Sequence, residues 1–509
     1  MKIHIASLAA LLLLAILLSS CDRGDDDSAD DDDGAIDDDS GDDDSSADDD
    51  SAVDDDSSTD DDSSIDDDTG DDDTDDDTSP DDDTIPDDDT VEELAPPPSN
   101  DIGVFVSAAL GQEGNPGTME APLKRVEPAV DLAWSTGKVV FVAEGAYIMP
   151  EGVTTGVDLF GGYHAPGWSR DIDQYTTNLR GAYGVEYAVR VYGEAAIEGF
   201  SIVGGSAGQT EVYSQGVLVD GGIVRLNRDN IRGGLAGAQI GAYSFGVYLN
   251  NDATVTLTRS TVEGGSALSL IYAASVGVDV NHGSVLLAVD NQIAGSLTMA
   301  EYSAAVMVDS TSQVTLINNR LRGGDVPPGY PSSAGVRSDG QLLMLHNRAR
   351  GGIGYSSFGV YIHGGSAVLL NNIMQSGVAS KWSAGLCVSV NDVDGVTLRN
   401  NDLWSAAMNA LLVNGITPVD DLAELNACGW VNCAEAGNNI SEDPLLVSDT
   451  DAHLQAGSPC IDAGRNPGSW YNEVWVYYDI DGDLRPQGAG WDIGADEFVI
   501  ADCQLPIAD

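Results

Sequence analysis

The 509-residue chain carries 85 Asp and Glu against 21 Lys and Arg, a formal net charge of −64. The charge is uneven: residues 22–94 hold 40 acidic side chains and one Arg, which leaves −26 for residues 101–509. A body this poor in Lys and Arg argues against nucleic-acid binding, which needs phosphate neutralisation, and against plain electrostatic adhesion to anionic lipid.

The chain opens with Met1-Lys2 and an 11-residue apolar run, Leu8 to Leu18, too short to span a bilayer and of the length of a signal-peptide core. It ends in Leu18-Ser19-Ser20-Cys21. That stretch resembles a bacterial lipobox, and the resemblance implies a signal peptide over 1–20 and lipidation of Cys21. It further implies a cell-envelope location and a membrane partner through the lipid, with the outer membrane or cell surface favoured over the inner membrane. An ordinary secretory signal with a chance Cys is the alternative.

Residues 21–100 are mostly Asp triplets spaced by Ser, Thr, Ala and Gly. With little apolar surface to bury and strong self-repulsion, they are predicted to form a disordered, extended linker. A tether is the main reading. A loose Ca²⁺ sponge is the other, since hard cations favour carboxylate oxygens.

Residues 101–440 read as short strands. Ile102 to Val106 is the first, and Val126, Ala129, Val130 and Ala133 have the spacing of a short amphipathic helix. Pro116-Gly117-Thr118, Pro122 and the run Val140, Val142, Gly145, Tyr147 resemble the opening of exported right-handed parallel β-helix proteins, whose helix caps the first coil. From Tyr213 to Ser405 a unit of 25 to 30 residues recurs, each opening on an aromatic residue: Tyr213, Tyr243, Tyr272, Tyr302, Tyr330, Tyr355 and Trp382. A period of this size means a stacked solenoid. Strands this short and β-branched, with no helical run between them, predict an all-β, right-handed parallel β-helix of about 11 rungs.

Three columns follow from aligning the units. The aromatic column could offer a platform for sugar rings, or seal a loop edge. The second column ends each first strand: Asp220, Asn250, Asn281, Asp309, Asp339 and His363. Within it Asp309 and Asp339 could form a carboxylate pair with His363 tuning them, as glycoside hydrolysis requires; plain turn residues are the alternative. The third column, Asn230, Asn291, Asn319, Asn347, Asn372 and Asn401, resembles the asparagine ladder of parallel β-helices, which satisfies turn backbone groups.

Residues 441–509 form an irregular C-terminal cap. Ser458-Pro459, Ile461-Asp462, Gly464, Asp479, Asp481-Gly482, Arg485-Pro486, Asp492-Ile493-Gly494-Ala495 and Glu497 resemble the closing segment of secreted β-helix proteins of the choice-of-anchor Q type. Asp479, Asp481 and Asp483 alternate as in Ca²⁺ loops, although Gly482 falls at position four rather than six. Cys428 and Cys433 are spaced to staple one loop, Cys460 and Cys503 could tie down the end, and Cys387 reads as a buried thiol. The sequence therefore predicts a lipid-anchored β-helix that binds a glycan or a surface protein, or plays a structural role, without catalysis. The alternative is a polysaccharide lyase or glycoside hydrolase working in a groove along the rungs.

Overall fold

The computed structural model describes residues 93–206, 212–237, 241–267, 269, 273–296, 302–326, 332–405, 409–413, 417–468, 470–471 and 473–499. Residues 1–20, where a signal peptide is expected, Cys21 and nearly all of the acidic tract lie outside them. Among the described residues no helix is long and apolar enough to cross a membrane.

Each unit of the repeat makes one coil of three strands, and corresponding strands stack in parallel into three long sheets. Strict alternation decides which side chains turn inward. In the first sheet Val224, Val255, Leu286, Val314, Leu342, Ala367 and Val396 stand directly above one another. Ile231, Val262, Ile293, Leu321, Ala349, Met374 and Leu403 do so in the second. Val217, Val247, Val278, Val306, Val336, Val360 and Leu386 do so in the third. These columns meet in one buried core that runs the length of the stack. Among the described residues the second sheet has 10 strands, which makes ten coils against an expected figure of about 11. Two less regular coils between Val139 and Val191 precede eight that share one plan.

The corners explain the repeat's polar letters. Between the first and second sheets the chain turns through a left-handed residue (Asp290, Asn318, His346, Asn371 and Asn400 have φ of 50–58°) followed by a buried Asn. Asn319 is typical: its Nδ2 donates to Ala288 O, Ile317 O and Asn347 Oδ1, and its backbone N–H donates to the same Asn347 oxygen. The ladder runs Asn291, Asn319, Asn347, Asn372, Asn401, then on to Asn439 and Asn426. Asn230 is not in it. Asp229 and Ser260 fill the two preceding rungs, and Asn230 falls one residue later, on the outward face.

The helix α1 (Val126–Thr136) buries Val126, Ala129, Val130 and Ala133 against the N-terminal end of the core and stops at Gly137, φ 66°. The ordered body also includes residues 93–100, which the sequence had assigned to the linker. Buried Glu198 draws them in by accepting from the Ala95 amide, and Lys138 Nζ donates to Asn100 O. At the other end a short 3₁₀ turn, Val474–Tyr477, lays Val476 on Val289, Ile317, Leu345 and Leu370, covering the outer face of the first sheet.

The closing motif is a polar clasp. Arg485 and Glu497 form an ion pair buried to 0% and 1% exposure. Asp492 accepts from the Asp462 and Phe498 amides, and Gly494 N–H bonds Asn371 O on the solenoid. The motif's charged residues therefore hold an irregular loop against the stack.

Candidate functional site

The second sheet is the one whose outer face is most sharply differentiated. Its outward positions form two columns. One reads Thr261, Gln292, Arg320, Arg348, Ile373 and Asp402; the other reads Glu263, Ala294, Arg322, Arg350, Gln375 and Trp404. Arg320 is thus in register with Arg348 and Arg322 with Arg350, a two-by-two block of guanidinium groups on neighbouring coils. Adjacent coils are about 4.8 Å apart.

The hairpin Leu446–Ser448/Asp451–Leu454 folds over this block. Arg350 Nη1 meets Asp449 Oδ1 at 2.7 Å, and Arg348 Nη1 donates to Ser448 O and Asp451 O at 3.2 Å each. Arg348 Nε donates to Gln375 Oε1, while Arg322 pairs with Asp325. Arg320 Nε is buried with no hydrogen-bond partner among the described residues. Two hollows flank the hairpin tip. A cavity of about 430 Å³ is lined by Arg348, Arg350, Gln375, Trp404 and Pro444. A second, of about 190 Å³, is lined by all four arginines with Gln292 and Asp449. Burial first, then the Arg350 charge, pulls the Arg348 guanidinium down to about 10. It stays charged at neutral pH, crowded by like charges, and an anion placed there would relieve the repulsion. On a body of net charge −26 this is a local concentration of positive charge, offset in part by Glu263, Asp325, Asp443 and Asp449.

The residues singled out from the sequence lie elsewhere. Asp309 and Asp339 end neighbouring strands of the third sheet, but their oxygens have separate partners. Asp309 takes up the His282 and Thr311 amides and the Thr311 and Ser312 hydroxyls, so it closes its own turn. Asp339 bonds His363 Nδ1 and lies 3.5 Å from Arg337 Nε. Burial opposes its ionisation, but the His363 bond and the Arg337 charge outweigh that and hold its carboxyl below the ordinary range. His363 is itself buried.

The aromatic column does not form an exposed stripe. Tyr213 and Tyr243 stack at 5.5 Å on adjacent coils, but the next positions in register are Ala274, Tyr302, Ser332 and Ser356. Tyr243 and Tyr302 are buried in an apolar cluster with Phe245 and Val276. Tyr355 sits one residue out of register; it and Trp382 are half-buried beside Lys381, whose Nζ lies 5.4 and 5.5 Å from their rings. Tyr272 and Tyr330 lie outside the described residues.

Asp479 is buried, with Oδ1 accepting from the Asp481 and Asp483 amides and Oδ2 from the Glu497 amide. That is turn chemistry. Asp481 faces His453 instead, with Oδ2 2.8 Å from Nε2. Cys428 and Cys433 are joined in a disulfide. Cys460 is buried and makes no disulfide among the described residues; its Sγ lies 3.7 Å from Asp402 Oδ2, and its expected partner Cys503 lies outside those residues. Cys387 is buried, as expected.

The arginine block was missed, yet it had a signal. Two consecutive units read Asn-Arg-Leu-Arg-Gly-Gly and Asn-Arg-Ala-Arg-Gly-Gly, at 319–324 and 347–352. With the ladder Asn and the glycines fixed in register, period-2 alternation turns both arginines of each unit outward.

Fold and groove together define a parallel β-helix protein with a basic groove on one sheet. No protein-family model matches the sequence, and no curated protein matches it. Among solved structures the chain is similar to pectate lyase Pel9A, at 14% identity over 78% of this chain and 96% of that one, TM-score 0.45. It is also similar to alginate lyase from Paenibacillus sp. str. FPU-7, at 9% identity over 66% and 98%, TM-score 0.34. A third likeness is to the Dettilon tailspike protein gp208, at 10% identity over 56% and 64%, TM-score 0.26.

Proposed function

We propose that the protein is a non-catalytic binder of an acidic polysaccharide, held in the groove on the outer face of the second sheet and displayed at the cell envelope through a lipid on Cys21. The observation that carries the binding is the block of Arg320, Arg322, Arg348 and Arg350 in register on two coils. Guanidinium groups pair with carboxylate or sulfate in bidentate geometry, and in-register repetition suits a ligand that repeats its own charge. Gln292 and Gln375 offer further hydrogen bonds, and Trp404 adds an aromatic side chain to the lining of the larger hollow. The envelope part rests on the Leu18-Ser19-Ser20-Cys21 sequence alone.

Affinity electrophoresis in gels containing a polyuronate, a sulfated glycan or a neutral glucan tests the binding. The protein is expected to be retarded by the acidic gels and not by the neutral one. Arg348→Ala/Arg350→Ala should weaken retardation by roughly tenfold or more, the loss of two charge-assisted contacts. Equal retardation by the neutral glucan, or none by any acidic gel, overturns the proposal. Release of new chain ends from the polyuronate replaces the binder with an enzyme.

A further inference from the structure

We propose that His453, Asp481 and Asp496 form a binding site for a transition-metal dication of the zinc class, where the 446–454 hairpin meets the C-terminal cap. The site is separate from the glycan reading and does not depend on it. One ligand atom from each side chain lies within 4.8 Å of the other two. His453 Nε2 is 2.8 Å from Asp481 Oδ2 and 3.9 Å from Asp496 Oδ1. Ligand atoms around a tetrahedral zinc ion are roughly 3.3 Å apart, from bond lengths of about 2.0–2.1 Å. The two contacts bracket that value, so small side-chain shifts would seat an ion among the three.

Two further observations point to a cation. Asp496 is more than nine-tenths buried. Its Oδ2 accepts from the Leu454 amide at 2.7 Å, whereas Oδ1 receives no hydrogen bond among the described residues and is turned toward His453. The Leu454 amide fixes this largely buried carboxylate through one oxygen, and the other stays available to a cation beside His453. The second is the far side of the imidazole. His453 Nδ1 is held by the Asp451 carboxylate, which fixes the ring so that Nε2 faces the other two groups. A carboxylate behind a ligating His is the usual means of orienting it. An imidazole nitrogen beside two carboxylates suits zinc, cobalt or nickel rather than Ca²⁺, which takes oxygen ligands. His453 and Asp481 are 43% and 42% exposed, which leaves the remaining coordination position to water. The ion would join the strand Asp451–Leu454 to the loop carrying Asp481 and to Asp496 near the chain's described end.

The test uses the full chain, stripped of metal with a chelator and then titrated with Zn²⁺ in excess Ca²⁺, so that the acidic 22–94 tract is already occupied. Isothermal titration is expected to show one saturable Zn²⁺ event per chain. Co²⁺ should give the visible absorption of a low-symmetry nitrogen–oxygen site. His453→Ala and Asp481→Asn should each weaken Zn²⁺ binding by more than about tenfold and remove the Co²⁺ band, and Asp451→Asn, a positioning change, should weaken it roughly tenfold. Asp481 is partly exposed, so its variant keeps the test readable if His453→Ala disturbs the fold. Zn²⁺ binding unchanged in Asp481→Asn, or no Zn²⁺ event in the parent chain, overturns the site and leaves a His–carboxylate ion pair in its place.

Discussion

At the scale of single residues, the corners of the solenoid bury polar groups that must be satisfied one by one. Asp402 shows what such burial does to titration. It is fully buried, with Oδ1 accepting from the Glu442 amide and Oδ2 next to Cys460 Sγ. Burial pushes its carboxyl up to about 8 from an ordinary 3.8. The folded protein therefore keeps a proton that the unfolded chain releases across this interval. The corresponding stability is fully present below about pH 4 and is lost as pH rises through about 8. Asp402→Asn keeps the shape and cannot ionise, so its urea midpoint is expected to fall less than that of the parent between about pH 5 and about pH 8.5. Parallel decline in the two proteins would mean that Asp402 titrates normally. Asp402 was not visible as special in the sequence, where it is the residue after a ladder Asn. Its burial comes from the C-terminal cap folding back over the second sheet, a contact between positions 58 residues apart that no local pattern encodes.

At the scale of elements, the sequence spoke more clearly. The spacing of Val126, Ala129, Val130 and Ala133 gave the helix and its buried face together, because one period fixes both. The Gly-Gly pairs that close the units have an equally direct cause. At Gly324 an added Cβ would lie 1.7 Å from the carbonyl oxygen of Ser296 on the preceding coil and 2.3 Å from Ser303 Oγ. At Gly352 it would lie 2.2 Å from Gly324 O. The corner between the second and third sheets therefore stacks backbone on backbone with no space for a side chain. Gly324→Ala is expected to cost about 3 kcal/mol or more, because the clash is with main chain that cannot move without breaking the stack. Gly167→Ala, where a Cβ meets nothing within 4 Å, should stay within about 0.5 kcal/mol of the parent. Thermal or urea unfolding of the pair decides it: equal losses would mean that the corner is looser than its geometry. The aromatic column misled for a related reason. Unit lengths vary by several residues in the loops, so residues aligned by eye at the start of each unit do not share a rung, as Tyr355 against Ser356 shows. The Gly column, and the Asn column from Asn291 onward, kept register because hydrogen bonds and contacts between coils enforce it.

At the scale of the whole molecule, charge is distributed against the function proposed for it. The groove's four arginines sit on a body of net charge −26, and residues 22–94 add −39. Long-range repulsion must then oppose the approach of any acidic glycan, while the arginines attract it only at short range. The Debye length is about 10 Å at 0.1 M salt and about 30 Å at 0.01 M, so the repulsion is screened well before the contact pairs are. Removing residues 22–92 should leave the groove intact, since its lining residues all lie beyond position 260. It should also remove the larger share of the opposing field. Binding of a polyuronate is therefore expected to be several-fold faster in the truncated protein than in the full chain at about 0.01 M salt, and nearly equal in the two at about 0.3 M. The dissociation rate should hardly change, because the groove contacts are the same. Surface plasmon resonance on immobilised polyuronate separates the two rates. A truncation effect that persists at high salt, or that falls on dissociation, would place the acidic tract in direct contact with the ligand or the groove.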